Sequence, residues 1–270
     1  MLFPEAKSSL VRLSDCIKLG IAAACDTSSE LINLHGAHAG VLAEMRTIAQ
    51  RALAGRISMD DAERLGREQS TKIPKDAAIR AISLQARLHS ECLSVLLQLC
   101  FALESYVNAY AYHLLKEKDF LGLIRKGNDA TAELLFEAID KLSTLSKWET
   151  LGRLNHKAGF DTAKGPFQDL KVLFRFRDDM VHDKVREYSD DFASKRYGGK
   201  LPDPTFGFLD LRHAIYGADT YWMMIAEIHR LTSQPREAFH RHYNLTPWFS
   251  PDAERHARDM ARQYSSVQDA

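Results

Sequence analysis

Arg177, Asp178 and His182 fall within the nine-residue stretch Phe174-Arg175-Phe176-Arg177-Asp178-Asp179-Met180-Val181-His182. A histidine changes charge near neutral pH and so can give or take a proton, while a guanidinium presents a planar fork of donors to an oxyanion. The stretch sits in a helical pattern from Pro166 to about Tyr188. On a 3.6-residue period Leu170, Phe174, Val181, Val185 and Tyr188 form one apolar stripe, and Arg177 falls on it. Burying an unpaired guanidinium is costly, so Arg177 is expected to reach a partner or to line a cleft along the seam. Asp178 and His182, four residues apart, stand at the flank of that seam.

Such a helix needs a buried neighbour to pack on. The longest uninterrupted pattern opens at Pro74, a first-turn proline, and runs to about Lys118, with a kink or break expected near His89. Between Cys92 and Leu115 one stripe carries Leu96, Leu99, Leu103, Val107, Tyr110 and Leu114. A second carries Leu93, Leu97, Phe101, Ala111 and Leu115, so the segment reads as a central buried helix. Glu104 and Asn108 interrupt the second stripe, and buried polar groups require partners.

The remaining segments are also helical. Leu2 to Thr27 reads as a short helix, followed by a cap at Asp26-Thr27-Ser28-Ser29, a loose region at Gly36 and Gly40, and helices over 41–53 and 58–69, the second capped at Ser58. A connection with Gly122 and Gly127 leads to a helix over 130–143, with Leu134, Leu135, Ala138 and Leu142 inward, and a weaker segment with Trp148, Leu151 and Leu154. Ser189 to Gly207 reads as a polar loop. Phe208 to Leu231 is again helical, with Leu211, Ile215, Trp222, Ile225 and Ile228 inward. Pro235 ends it, and a last charged helix is capped at Ser250. No strand pattern, glycine-rich phosphate loop or repeat is present, so the expected fold is all-α, a helical bundle with helical N-terminal and C-terminal extensions. The expected divisions are 1–70, 71–234 and 235–270.

With 270 residues and 45% hydrophobic content the chain can bury a substantial core. Lys plus Arg and Asp plus Glu each total 36, which excludes the global basic field of a non-specific nucleic-acid binder and makes any polyanion site local. Cys16, Cys25, Cys92 and Cys100 lack metal-ligand spacing, and no signal-like start or membrane-length apolar run is read. Reduced thiols and a cytoplasmic location are therefore expected. The pairs His35/His38 and His240/His242 lack a companion carboxylate or cysteine at ligand spacing, so neither a metal nor another cofactor is expected.

The run Arg177-Asp178-Asp179-Met180-Val181-His182 resembles the Arg, polar residue, three residues, His motif of HEPN domains, helical bundles that include many metal-independent endoribonucleases. Leu103-Glu104-Ser105-Tyr106-Val107-Asn108 is similar to the first core helix of those domains. The resemblance covers roughly Ile79 to Leu231. Asp stands at 178, where Asn is frequent in the family, and Lys at 184, where the adenylylating toxin branch carries a tyrosine.

The resemblance implies RNA cleavage to a 2′,3′-cyclic phosphate and a 5′-hydroxyl. His182 would move the proton, Arg177 would clamp the phosphate, and Asp178, Glu104 and Asn108 would orient them. It implies a homodimer whose two motifs share a composite cleft, an RNA substrate, an antitoxin or other regulatory partner, and a bacterial defence or toxin setting. Lys171, Arg175, Lys184 and Arg186 are candidates to guide RNA. Interleaved acidic residues, Asp169, Asp179, Asp183 and Glu187 among them, also fit a solvated mixed-charge face. Two other readings stay open: a non-catalytic HEPN-like module binding nucleotide, RNA or a protein partner, and a structural adaptor whose Arg177, Asp178, His182 and Glu104 form an ion-pair network.

Overall fold

The computed structural model describes residues 3–116, 129–155, 159–181, 192–203, 207–243 and 251–269. Among these residues there are eleven helices and no strand. They are α1 (Phe3–Ala37), α2 (Ala39–Leu53), α3 (Met59–Ser70), α4 (Lys75–Lys116), α5 (Asp129–Asp140), α6 (Thr144–Asn155), α7 (Gly165–Val181), α8 (Phe192–Tyr197), α9 (Leu211–Thr232), α10 (Arg236–Tyr243) and α11 (Pro251–Asp269). The all-α class follows from the sequence pattern, and the structure shows it.

The bundle is built around α4. Its 42 residues would span roughly 63 Å, and it passes His89 without a break. His89 is anchored instead: its Nδ1 accepts from the backbone N–H of Leu209 at 3.0 Å, just before α9. The predicted first stripe is buried throughout, from Leu96 to Leu114. The second stripe is not, because Phe101 is 49% exposed where no described helix covers it. By length and composition α4 could cross a membrane, but 56% of its most apolar window is buried inside the bundle, as expected of a core helix.

Two partners flank α4 along much of its length. Its register with α1 is antiparallel, Gly20 facing Val95 and Glu30 pairing with Arg80 at 3.0 Å. Its register with α9 is parallel, Gly217 facing Leu96 and Leu99 while Tyr106 meets His229. At both glycines an added Cβ would lie under 3.0 Å from an α4 side chain, so the missing side chain is what lets the helices approach.

α1 is one helix of 35 residues rather than a short helix followed by a cap. Leu10, Ser14, Ile17, Ile21, Ala24, Ser28 and Leu31 are buried at alternating spacings of four and three, the period of a packing seam. Thr27 and Ser28, expected to cap, are enclosed in that seam, and packing overrides their local preference. The expected loose region at Gly36 and Gly40 is helical on both sides of a single turn residue, His38. The cap at Ser58 does form, its Oγ accepting from Asp61 N–H at 3.1 Å.

One buried cluster runs from Leu10 in α1 through α4 and α9 to Tyr264 in α11, so the helices near both ends of the chain share the core. α2 and α3 pack on each other at the edge.

In α5 the fully buried residue is Ile139, whereas Leu134 is 68% exposed and Ala138, like Leu142 just beyond the helix, faces out. The apolar run Leu134-Leu135-Phe136 with Ala138-Ile139 fits two helix phases, and packing on α4 selects the one through Leu135, Phe136 and Ile139. Within the expected loop after α7, α8 forms and seats Tyr197 in the core. α9 starts at a capping box, with Asp210 accepting from Arg212 N–H and His213 accepting from Asp210 N–H. The Gly122 and Gly127 connection, Val185, Tyr188 and the cap at Ser250 lie outside the described residues.

Candidate functional site at the α4–α7 seam

α7 starts as its sequence predicts. Gly165 takes a left-handed φ of 60°, Pro166 fills the first turn, and Asp161 braces the preceding turn by accepting from Ala163 N–H at 3.0 Å. Leu170 and Phe174 face inward as expected, and Phe167, Leu173 and Phe176 widen the buried face. α7 runs parallel to α4. Cys100 Sγ lies 3.8 Å from the Leu173 carbonyl, and four residues further along both helices Glu104 meets Arg177. Burial pushes the Cys100 thiol up to about 12, which makes it a packing group rather than a nucleophile.

At that point the Arg177 guanidinium lies 4.7 Å from the centre of the buried Phe174 ring. Its Nε and Nη2 donate to one oxygen of Asp178 at 3.0 and 2.8 Å, and its Nη1 donates to Glu104 Oε2 at 3.4 Å. The Arg177 side chain keeps 24% of its surface exposed. Ring and carboxylates fix the plane of the fork, and each of its three nitrogens has an acceptor. The Glu104 contact is longer than an optimal charged hydrogen bond, so Nη1 is the nitrogen most readily given to a new acceptor.

The sequence-predicted site residues separate into groups. Arg177, Asp178 and Glu104 come together. Asn108, one turn beyond Glu104, faces α6 instead, and its Oδ1 accepts from Lys147 at 2.8 Å. Lys171 reaches back to the Thr162 carbonyl at 2.8 Å with its ammonium over the Phe167 ring, and Arg175 donates to the Arg196 carbonyl at 2.9 Å. His182, Lys184 and Arg186 lie outside the described residues. Val181, expected on the buried stripe, is 62% exposed at the last described turn of α7. Among the described residues no three His, Cys, Asp or Glu side chains are grouped to hold a metal ion.

Two polar clusters go beyond what the sequence suggested. Asp179, expected on a solvated face, has a side chain only 2% exposed and receives the Arg196 guanidinium on both oxygens, with the Tyr197 hydroxyl donating at 2.7 Å. This cluster ties α8 to α7 and holds the Arg196 pKa above its ordinary value. The other cluster lies where α4, α9 and α10 meet. Tyr106 Oη is 2.7 Å from His229 Nε2 and 3.3 Å from His240 Nε2, and His229 Nδ1 is 3.1 Å from the Gln234 carbonyl. Burial lowers both histidines to about 4, so both rings are neutral at neutral pH. The only sequence signal for this centre was Tyr106 and Tyr110 one helical turn apart and two histidines on either side of Pro235.

Comparison of the chain with protein-family models, with curated proteins and with solved structures finds no match.

Proposed function

We propose that the chain is a metal-independent endoribonuclease of HEPN type, acting as a homodimer on RNA. The observation that carries this reading is Arg177. Within an Arg-x4-His sequence its guanidinium is oriented by Asp178, Glu104 and Phe174, and the side chain stays partly exposed to solvent. In the proposed reaction a base removes the 2′-hydroxyl proton and the 2′-oxygen attacks phosphorus. The 5′-oxygen then departs with a proton from an acid, leaving a 2′,3′-cyclic phosphate and a 5′-hydroxyl. Arg177 supplies the cation for the charge that develops on the phosphoryl oxygens, and His182 supplies the proton transfer. Asp178 and Glu104 are positioning residues. Lys171 and Arg175, with Lys184 and Arg186, are the proposed guides for the RNA backbone, and a cytoplasmic defence or toxin role with a regulatory antitoxin follows the family resemblance.

The dimer has its own support. Phe101, one turn before Glu104, and Val181, one turn after Arg177, are large apolar groups left exposed on either side of the ion pair. A second copy laid across this seam would cover both and bring two Arg177 side chains to one groove.

A second reading is favoured by the fact that Arg177 already has two carboxylate partners: a non-catalytic HEPN-like module that binds nucleotide, RNA or a protein. Labelled RNA and DNA of one sequence, incubated with the protein in EDTA, separate the two. Cleavage of RNA alone, with cyclic-phosphate ends that are absent for His182→Ala, supports the nuclease. Intact RNA in all lanes, or cleavage unchanged in His182→Ala, refutes it.

A further inference from the structure

A cavity of about 400 Å³ opens between α1, α9, α10 and α11, away from the α4–α7 seam. Ile21, Ile215, Ala218, Trp222, Met223 and Ala257 make most of its wall apolar. Its volume is in the range of sites that enclose a small organic ligand.

The polar groups in the wall differ in what they have left to offer. Arg258 forks both oxygens of Asp219 at 3.1 and 2.5 Å and also binds Glu254 at 2.9 Å, so these three largely satisfy one another. Arg236 is different. Glu237 is its nearest acidic neighbour at 3.8 Å, beyond hydrogen-bond range, and it has no hydrogen-bonded partner among the described residues.

The histidine in the wall has a fixed polarity. A carbonyl only accepts, so His229 Nδ1 must carry hydrogen toward Gln234, which leaves Nε2 of the neutral ring as an acceptor. Tyr106 therefore donates its hydroxyl hydrogen to His229 Nε2, and its oxygen accepts from His240 Nε2. A neutral His240 with hydrogen on Nε2 has a lone pair on Nδ1. Since Nε2 is used inside the core, any hydrogen bond that His240 offers the cavity is an acceptor at Nδ1.

We infer that this cavity binds a small amphipathic carboxylate: Arg236 takes the carboxylate, the wall from Ile215 to Trp222 takes an apolar or aromatic body, and His240 Nδ1 accepts from an N–H or O–H on that body. One negative charge matches Arg236, the guanidinium in the wall with no hydrogen-bonded partner among the described residues. A phosphate would bring a second negative charge beside Asp219 and Glu254, which disfavours it.

The test is isothermal titration calorimetry of the full chain with three probes: indole-3-acetate, 3-methylindole, which lacks the carboxylate, and 1-methylindole-3-acetate, which lacks the donor. Wild type is expected to bind indole-3-acetate, and each of the other two at least about fivefold more weakly. Arg236→Met, at an exposed position and checked for an unchanged melting temperature, is expected to lose about tenfold or more in affinity for indole-3-acetate. No heat from wild type at millimolar probe, equal affinity for all three probes, or an unchanged affinity in Arg236→Met overturns the assignment. Because no readout involves RNA, the result stands apart from the nuclease proposal.

Discussion

Asp178 and Asp179 are neighbours on α7, yet they belong to opposite kinds of ionic cluster. Asp179 points into the protein, where Arg196 and the Tyr197 hydroxyl take up its oxygens and no surface is left over. Asp178 stays at the surface beside an Arg177 that is held by a ring and two carboxylates but remains partly exposed. A buried carboxylate with both oxygens hydrogen-bonded makes a structural tie, because removing it strands its partners. A surface cluster contributes little to stability, so a well-ordered one on an apolar stripe calls for another explanation. The difference separates a clasp from a candidate site within a single helical step.

The strongest break in the comparison is Asp179→Ala, which leaves the Tyr197 hydroxyl and the Arg196 fork without their acceptor. A loss of roughly 2–4 kcal/mol is expected in urea denaturation. Arg177→Ala, two residues away, should cost under about 1 kcal/mol in the same experiment. A comparable loss for the two would erase the distinction.

Tyr106→Phe probes a second structural cluster, removing the hydroxyl that serves both His229 and His240. It is expected to cost about 1–2 kcal/mol by thermal or chemical denaturation. The same histidines give a pH signature. Their folded pKa values, about 4, lie below the ordinary 6.5, so the unfolded chain binds more protons between those limits. Their contribution to stability is complete above about pH 6.5 and is lost as pH falls through about 4. Denaturant midpoints measured across that window should fall with pH, and less steeply in His229→Gln. The smallest effect on the fold itself is at the seam: Val181→Glu, at an exposed position, should leave secondary structure unchanged by circular dichroism, and if the proposed dimer forms there it should shift the mass in solution to that of a monomer.

Much of this architecture could be read from residue order. The α4 stripe from Leu96 to Leu114 has a strong helical period, and its burial follows directly. Arg177 is an outlier on an apolar stripe, and the structure gives it the partner Glu104 on α4, although that carboxylate, expected to be buried, keeps 42% of its surface exposed. What could not be read had local signals that were ambiguous or overruled. Asp179 sits in a charge-rich run that looks solvated, and its partners Arg196 and Tyr197 come from a segment whose glycines and prolines read as loop. Asn108 shares a stripe with Glu104, but one turn along α4 the neighbour is α6, so it meets Lys147. Ser28 looks like a cap until α1 is packed. The Tyr106, His229 and His240 centre joins residues more than a hundred positions apart, which no periodicity reports.

The most direct measurement of the central claim takes the melting temperature and the RNA cleavage rate of Arg177→Ala from one preparation in EDTA. Under the proposed function the melting temperature is expected to stay close to that of wild type while cleavage falls by about 100-fold or more. Cleavage at the wild-type rate, or a loss of cleavage matched by a large fall in melting temperature, would contradict it.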